Sequence, residues 1–156
     1  MSKQPDNNSS TKNPVGRFMV ATGAVIELKD SGKILIVQRA KDLDWQPNEW
    51  EITYGRIDQF ENPEDGLKRE ISEEIGIQDI KVDDILTVWH IFRGGKKIVE
   101  NDLIGITYWC KTDTEEVKLS SEHQDYKWVT PNEALEIISV EGIKRDVLKF
   151  IEKRDK

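Results

Sequence analysis

Gly55-Arg56-Ile57-Asp58-Gln59-Phe60-Glu61-Asn62-Pro63-Glu64-Asp65-Gly66-Leu67-Lys68-Arg69-Glu70-Ile71-Ser72-Glu73-Glu74-Ile75-Gly76-Ile77 is the stretch that decides the fold. Asn62 followed by Pro63 predicts a helix start, with Asn as N-cap and Pro at the first helical position. Asp65 falls in the first turn, where acids favour the helix dipole. Leu67, Ile71 and Ile75 recur every four residues and give a buried stripe. Gly76 suits the left-handed residue that ends a helix. Beside the stripe, Glu70, Glu73 and Glu74 sit at i, i+3 and i+4, within an arc of roughly 100°. Like charges at that spacing destabilise a bare helix by a few tenths of a kcal/mol per pair. A divalent cation would offset the cost, and hard oxygen ligands favour Mg²⁺ or Mn²⁺.

Outward from this helix the chain alternates apolar runs with turns. Phe18 to Leu28 and Lys33 to Gln38 read as strands joined by Lys29-Asp30-Ser31-Gly32, a hairpin. Residues 40–49 read as a loop, and Trp50 to Thr53 as a short strand that delivers the chain to Gly55. Ile85 to Phe92 and Ile98 to Lys111 read as strands joined at Gly94-Gly95, and Tyr126 to Val129 as another. Pro131-Asn132-Glu133 opens a helix through Ile138. A last helix runs from Ile143 to Lys153, with apolar positions Ile143, Val147, Leu148 and Ile151. Strands on both sides of a long helix, with helices at the end, predict a mixed α/β (α+β) sandwich. Residues 1–14 are polar and read as a disordered tail, and 15–156 as a single domain.

Composition narrows the function. The net charge is −7 across 156 residues. That argues against polymeric nucleic acid as partner, since it demands a basic stripe. A small anionic substrate stays compatible if cations screen it. Cys110 is the single cysteine, so no internal disulfide forms. No apolar run is long enough for a bilayer, and the first fifteen residues lack the apolar core of a signal peptide. The expectation is a soluble cytoplasmic protein without a membrane partner.

Gly55-x5-Glu61-x7-Arg69-Glu70-Ile71-x-Glu73-Glu74-x-Gly76-Ile77 resembles the complete Nudix box, with every fixed position filled. The order of elements from Phe18 onward also resembles the Nudix α/β/α sandwich with its mixed sheet. Two positions depart from the family. Thr53-Tyr54-Gly55 stands where Pro-Gly-Gly is usual, and Phe60 where Gly often precedes the first box glutamate.

The resemblance implies a metal-dependent hydrolase of a nucleoside diphosphate derivative, with Mg²⁺ or Mn²⁺ as cofactor. It implies metal ligands Glu70 and Glu74, with Glu73 either a ligand or the general base, and the Tyr54 carbonyl as a further ligand. Gly55, Glu61 and Gly76 support the site, and Arg69 orients acidic side chains by salt bridging. The late segment Leu119 to Val129 resembles that of many Nudix enzymes, including diadenosine polyphosphate hydrolases. There Glu122 matches an acid that binds metal or activates water. This leans the substrate toward dinucleotide polyphosphates. His123 reads as an exposed loop histidine and Trp128 as core. Arg39, Trp45, Trp50, Tyr54, Arg56, His90 and Phe92 are candidates to line a nucleotide pocket by stacking or phosphate contact. Arg39, Trp45, Tyr54 and Arg56 carry that reading.

Two other readings compete. One is a catalytically silent Nudix domain that binds a nucleotide as a sensor module. The other is an enzyme similar to isopentenyl diphosphate isomerase, whose chemistry relies on a cysteine preceding the box. Here Cys110 follows it.

Overall fold

Successive side chains of a strand point to opposite faces, and the chain exploits this at its centre. In β1 (Met19–Leu28), Ala24 and Ile26 enter one apolar core, while Val25 enters another. In β2 (Ile34–Arg39), Leu35 and Val37 join the first core, and Ile34 and Ile36 the second. A sheet buried on both faces needs a cover on each. The computed structural model, which describes residues 15–156, supplies both covers. The tail read at residues 1–14 lies outside the described residues.

The strands form a mixed sheet in the order β3-β2-β1-β6-β5. β1 and β2 are the antiparallel hairpin expected. β3 is Trp50–Glu51 and pairs with β2; β4 is Thr53–Arg56 and pairs antiparallel with the first half of β1. β5 (Lys81–Phe92) and β6 (Asp102–Thr112) are antiparallel, and β6 runs parallel to β1 over its whole length. β7 (His123–Val129) pairs with β2.

Helix α1 (Pro63–Ile75) covers the first core with Leu67, Ile71 and Ile75, each at most 1% exposed. Its ends follow the local chemistry. Asn62 accepts a hydrogen bond from the Glu64 amide at 2.9 Å, and Gly76 closes the helix at φ 72°. Helices α2 (Pro131–Ile137) and α3 (Glu141–Arg154) cover the second core. A capping box between Thr130 and Glu133 starts α2. The expected α/β/α sandwich is therefore the observed one.

Several expectations shift: β7 begins at His123 rather than Tyr126, α3 at Glu141 rather than Ile143, and the strand expected over Trp50 to Thr53 divides at Ile52 between β3 and β4. β5 begins at Lys81, four residues early, because its first residues lie exposed on an edge strand and carry no apolar pattern. Ile98 to Asn101 is not strand; Val99–Asn101 forms a single 3₁₀ turn before β6. In α3, Leu148 is 53% exposed, whereas Phe150 is fully buried and meets the Trp109 ring edge-on at 5.4 Å. No helix among the described residues is long and apolar enough to cross a membrane.

Candidate active site

Three pieces of chain meet over the acidic face of α1. After β6, the segment that leads to β7 returns along the C-terminal end of α1. The Lys118 amide donates to the Ile75 carbonyl at 3.0 Å, and the Ser120 amide to the Glu74 carbonyl at 2.9 Å. Gly76 allows this close approach, since a side chain there would need a left-handed φ and would press on Lys118. The Glu122 carbonyl then accepts from the Ala40 amide at 2.9 Å, which seats Glu122 beside the loop after β2. From the other side β4 brings in Gly55, whose missing side chain matters for space rather than for φ. A Cβ on Gly55 would overlap the Glu70 side chain.

The result is a cleft of about 1260 Å³. Glu51, Glu70, Glu74 and Glu122 line it, with Gly55, Glu61, Arg39, Trp45, Tyr54 and Arg56. Of the residues read from the sequence, Glu73 stands apart. Its side chain is 60% exposed and pairs with Arg69 at 3.2 Å. Gly76 serves the helix end. Trp50 packs toward the second core, and Lys127 lies over its ring at 5.0 Å. Trp128 packs partly buried against the first core, as expected. His90 is exposed, pairs with Asp102 and meets the Phe92 ring, away from the cleft.

Arg69 fixes the acids on its side. It donates to Glu61 at 2.7 and 2.9 Å, to Glu70 at 2.9 Å and to the Arg56 carbonyl at 3.3 Å. Glu61 also accepts from the Asp58 amide at 2.9 Å. These donors hold the Glu61 carboxyl down at about 2, and Glu61 and Glu70 hold the Arg69 guanidinium firmly charged. Phe60, inside this turn, takes φ 69° and is 97% exposed. It holds the left-handed conformation that favours glycine, at a cost of roughly 1–2 kcal/mol.

Glu74 is the electrostatic centre. It is 6% exposed, and its Oε2 is buried without a hydrogen-bond partner. Burial pushes its carboxyl up to about 9, with Glu122, Glu70 and Glu51 adding to the rise. An acceptor without a donor, among three further carboxylates, is the environment a divalent cation satisfies. Among the described residues no three acids already stand at metal-holding spacing. Glu70 is held toward Arg69, so the cation itself would complete the set. Glu70, Glu74 and Glu122 fit that role chemically.

Two buried groups here escaped the sequence reading. Glu51 is 7% exposed and accepts from Arg39 at 3.4 Å. His123 is not an exposed loop residue; it opens β7, is 5% exposed, and its Nε2 lies 3.0 Å from Glu51. A buried acid in a two-residue strand has no periodic signature. Arg39 also donates to the Trp45 carbonyl at 2.9 Å, fastening the loop that carries Trp45 to β2. Arg93 stacks over the Trp45 ring at 5.5 Å from the other side. Tyr54 lines the cleft, and its hydroxyl turns to Asp146 on α3 at 2.6 Å.

Because Gly55 makes room for Glu70, Gly55→Ala should displace that carboxylate. The expected result is a loss of activity of about tenfold or more with a small change in Tm, because a flexible side chain, not the backbone, gives way. Parallel rate and melting measurements check it.

A family model described as the NUDIX domain matches residues 17–150. The nucleoside triphosphatase NudI of Escherichia coli K12 is 32% identical over 114 residues, covering 68% of this chain and 79% of its own. Among solved structures, an Ap4A hydrolase of C. elegans, in a binary complex, superposes with TM-score 0.72 at 23% identity. The match covers 88% of this chain and 98% of that one. The MutT protein from Methanosarcina mazei Go1 superposes with TM-score 0.71 at 23% identity, covering 90% and 96%. These two likenesses concern the fold.

Proposed function

The chain belongs to the Nudix hydrolase family, and on that premise we propose that it is a divalent-metal-dependent pyrophosphohydrolase of nucleoside triphosphates. Family membership and the triphosphatase relative make it a hydrolase acting on anhydride bonds. The observation that carries the metal-dependent reading is Glu74: buried, unpartnered, and crowded by Glu70, Glu122 and Glu51.

Glu70, Glu74 and Glu122 would hold Mg²⁺ or Mn²⁺. When bound, the cation would neutralise the diphosphate and lower the pKa of a coordinated water. The residues then divide the work. Arg69 keeps the Glu70 carboxylate from swinging away. Arg39 and Arg56, both lining the cleft, supply charge for phosphate oxygens. Glu122 accepts the proton as water attacks phosphorus, and the P–O anhydride bond breaks with its electron pair going to the bridging oxygen, so that a nucleoside triphosphate yields nucleoside monophosphate and pyrophosphate. Glu73, on the solvent side of Arg69, is less suited to be the base. Burial pushes the Cys110 thiol up to about 12 inside the core, so the isomerase-like alternative has no reactive thiol.

A second substrate reading, dinucleotide polyphosphates, draws on the late segment around Glu122 and on the likeness in fold to the Ap4A hydrolase. A panel of nucleoside triphosphates, sugar-linked nucleoside diphosphates and dinucleoside polyphosphates, with Mg²⁺ or Mn²⁺ and chromatography of products, tests both. Metal-dependent release from triphosphates at the highest kcat/KM is the expected outcome. A dinucleoside polyphosphate turned over faster would favour the second reading. No turnover anywhere would leave the silent sensor domain.

A further inference from the structure

At the α3 side of the cleft stands a fully buried carboxylate with no part in the chemistry above. Asp146 is 0% exposed. Its Oδ1 accepts from Thr87 at 2.7 Å and from the Arg145 guanidinium at 2.9 and 3.1 Å. Its Oδ2 accepts from Tyr54 at 2.6 Å and Thr107 at 2.8 Å. The donors come from β4, β5, β6 and α3. Thr107 passes the constraint on, since its hydroxyl accepts from the Trp89 indole at 3.1 Å.

What Asp146 holds is a surface. Trp89 and Tyr54 meet edge to face at 5.9 Å, and both line the cleft. Each ring lies on the sheet over a glycine: a Cβ on Gly105 would overlap the Trp89 ring, and one on Gly23 the Tyr54 ring. Arg145 borders them, its guanidinium 6.0 Å from the Trp89 ring centroid and its side chain 47% exposed. Its Nε and Nη2 are bound to Asp146, which leaves the Nη1 edge uncommitted among the described residues. Five hydrogen bonds satisfy this buried carboxylate and tie β4, β5, β6 and α3 together beside the cleft. Removing a charge so placed leaves buried donors unpaired.

Resting on the reading of the cleft as a nucleotide site, we propose that Asp146 is a positioning residue for the substrate's base. It fixes the edge-to-face pair of Tyr54 and Trp89 as an aromatic corner and Arg145 as a donor at the rim, a subsite for a planar ring with a carbonyl acceptor edge. In such a corner one ring offers its face for stacking and the other its edge, which is tolerant of ring identity. Arg145 has only donors, so it favours a carbonyl oxygen over an amino group. Guanosine and uridine derivatives fit this better than adenosine derivatives.

The test is binding without turnover, so it does not depend on hydrolysis. Uridine, guanosine and adenosine 5′-monophosphates, and ribose 5-phosphate as the base-free probe, are titrated calorimetrically into the full chain in chelator. The parent should bind the uridine and guanosine nucleotides most tightly. Arg145→Met, at a half-exposed side chain, should raise their Kd about tenfold, the scale of one charge-assisted hydrogen bond. Asp146→Asn should do the same. For any substrate the panel identifies, both variants should raise KM while kcat changes little. Equal Kd in parent and Arg145→Met, or parent affinity for ribose 5-phosphate equal to that for the nucleotides, overturns the proposal. Because Asp146→Asn removes a buried charge, its melting curve is recorded beside it. If it does not fold, Arg145→Met decides alone.

Discussion

Glu74→Gln should lower kcat by at least about a hundredfold, the scale on which removing one group that stabilises transition-state charge is felt. The same change should leave the metal-free protein as stable as the parent, or more so. Glu74 has no donor for its Oε2, and three other carboxylates face it. Where the carboxyl ionises, toward pH 9, a neutral amide removes that repulsion, and at every pH it brings a donor of its own. The pH dependence follows from the direction of the shift. The Glu74 carboxyl is raised from 4.5 to about 9 on folding, so the folded chain binds this proton more tightly than the unfolded one. Its contribution to stability is fully present below about pH 4.5 and is lost as pH rises through about 9. In chelator, the parent should therefore lose Tm across that window, and Glu74→Gln should lose less. Mg²⁺ should raise the parent's Tm by mass action, increasingly so at higher pH, where fewer protons compete with it for the carboxylate. The variant should respond much less. Normal turnover in Glu74→Gln would show that the carboxylate is structural.

Glu122→Gln should lower kcat by at least about tenfold, since a general base contributes that much or more. Its Tm should stay unchanged, because Glu122 lies exposed in the turn before β7 and its backbone, not its side chain, fastens the segment. Full activity in this variant would move the outside carboxylate elsewhere, and buried Glu51 would be the next residue to change. Glu73→Gln serves as the comparison. With Glu73 on the solvent side of Arg69, its loss should cost less than that of Glu122.

The parts of this molecule legible in the sequence are those that local rules write. Asn62-Pro63, the Leu67-Ile71-Ile75 stripe and Gly76 define α1 because caps and periodicity are properties of neighbouring residues. The acidic face is legible for the same reason, since three residues on one turn declare it. Arg69 and its acids were legible in part, and Glu70 and Glu61 take the closest contacts rather than Glu73. Asp146 was not legible at all. It occupies the buried stripe of α3 between Ile143 and Phe150, where a charge reads as a solvent face. Its partners Tyr54, Thr87 and Thr107 lie on three different strands. His123 and Glu51 were hidden likewise, because they pair with each other across 72 residues of chain. Polar groups that pair over long sequence distances leave no period to detect, and in this fold they gather around the cleft.

The central claim, metal-dependent attack of water on a nucleoside triphosphate, is tested most directly by turnover in ¹⁸O-labelled water. Metal-stripped protein is incubated with nucleoside triphosphate, with and without added Mg²⁺, and the phosphoryl products are resolved by mass spectrometry. The predicted result is cleavage only with Mg²⁺, one label entering a single product at each turnover, and near-complete loss of both in Glu74→Gln. Cleavage undiminished in chelator, or no cleavage with either Mg²⁺ or Mn²⁺, would contradict it.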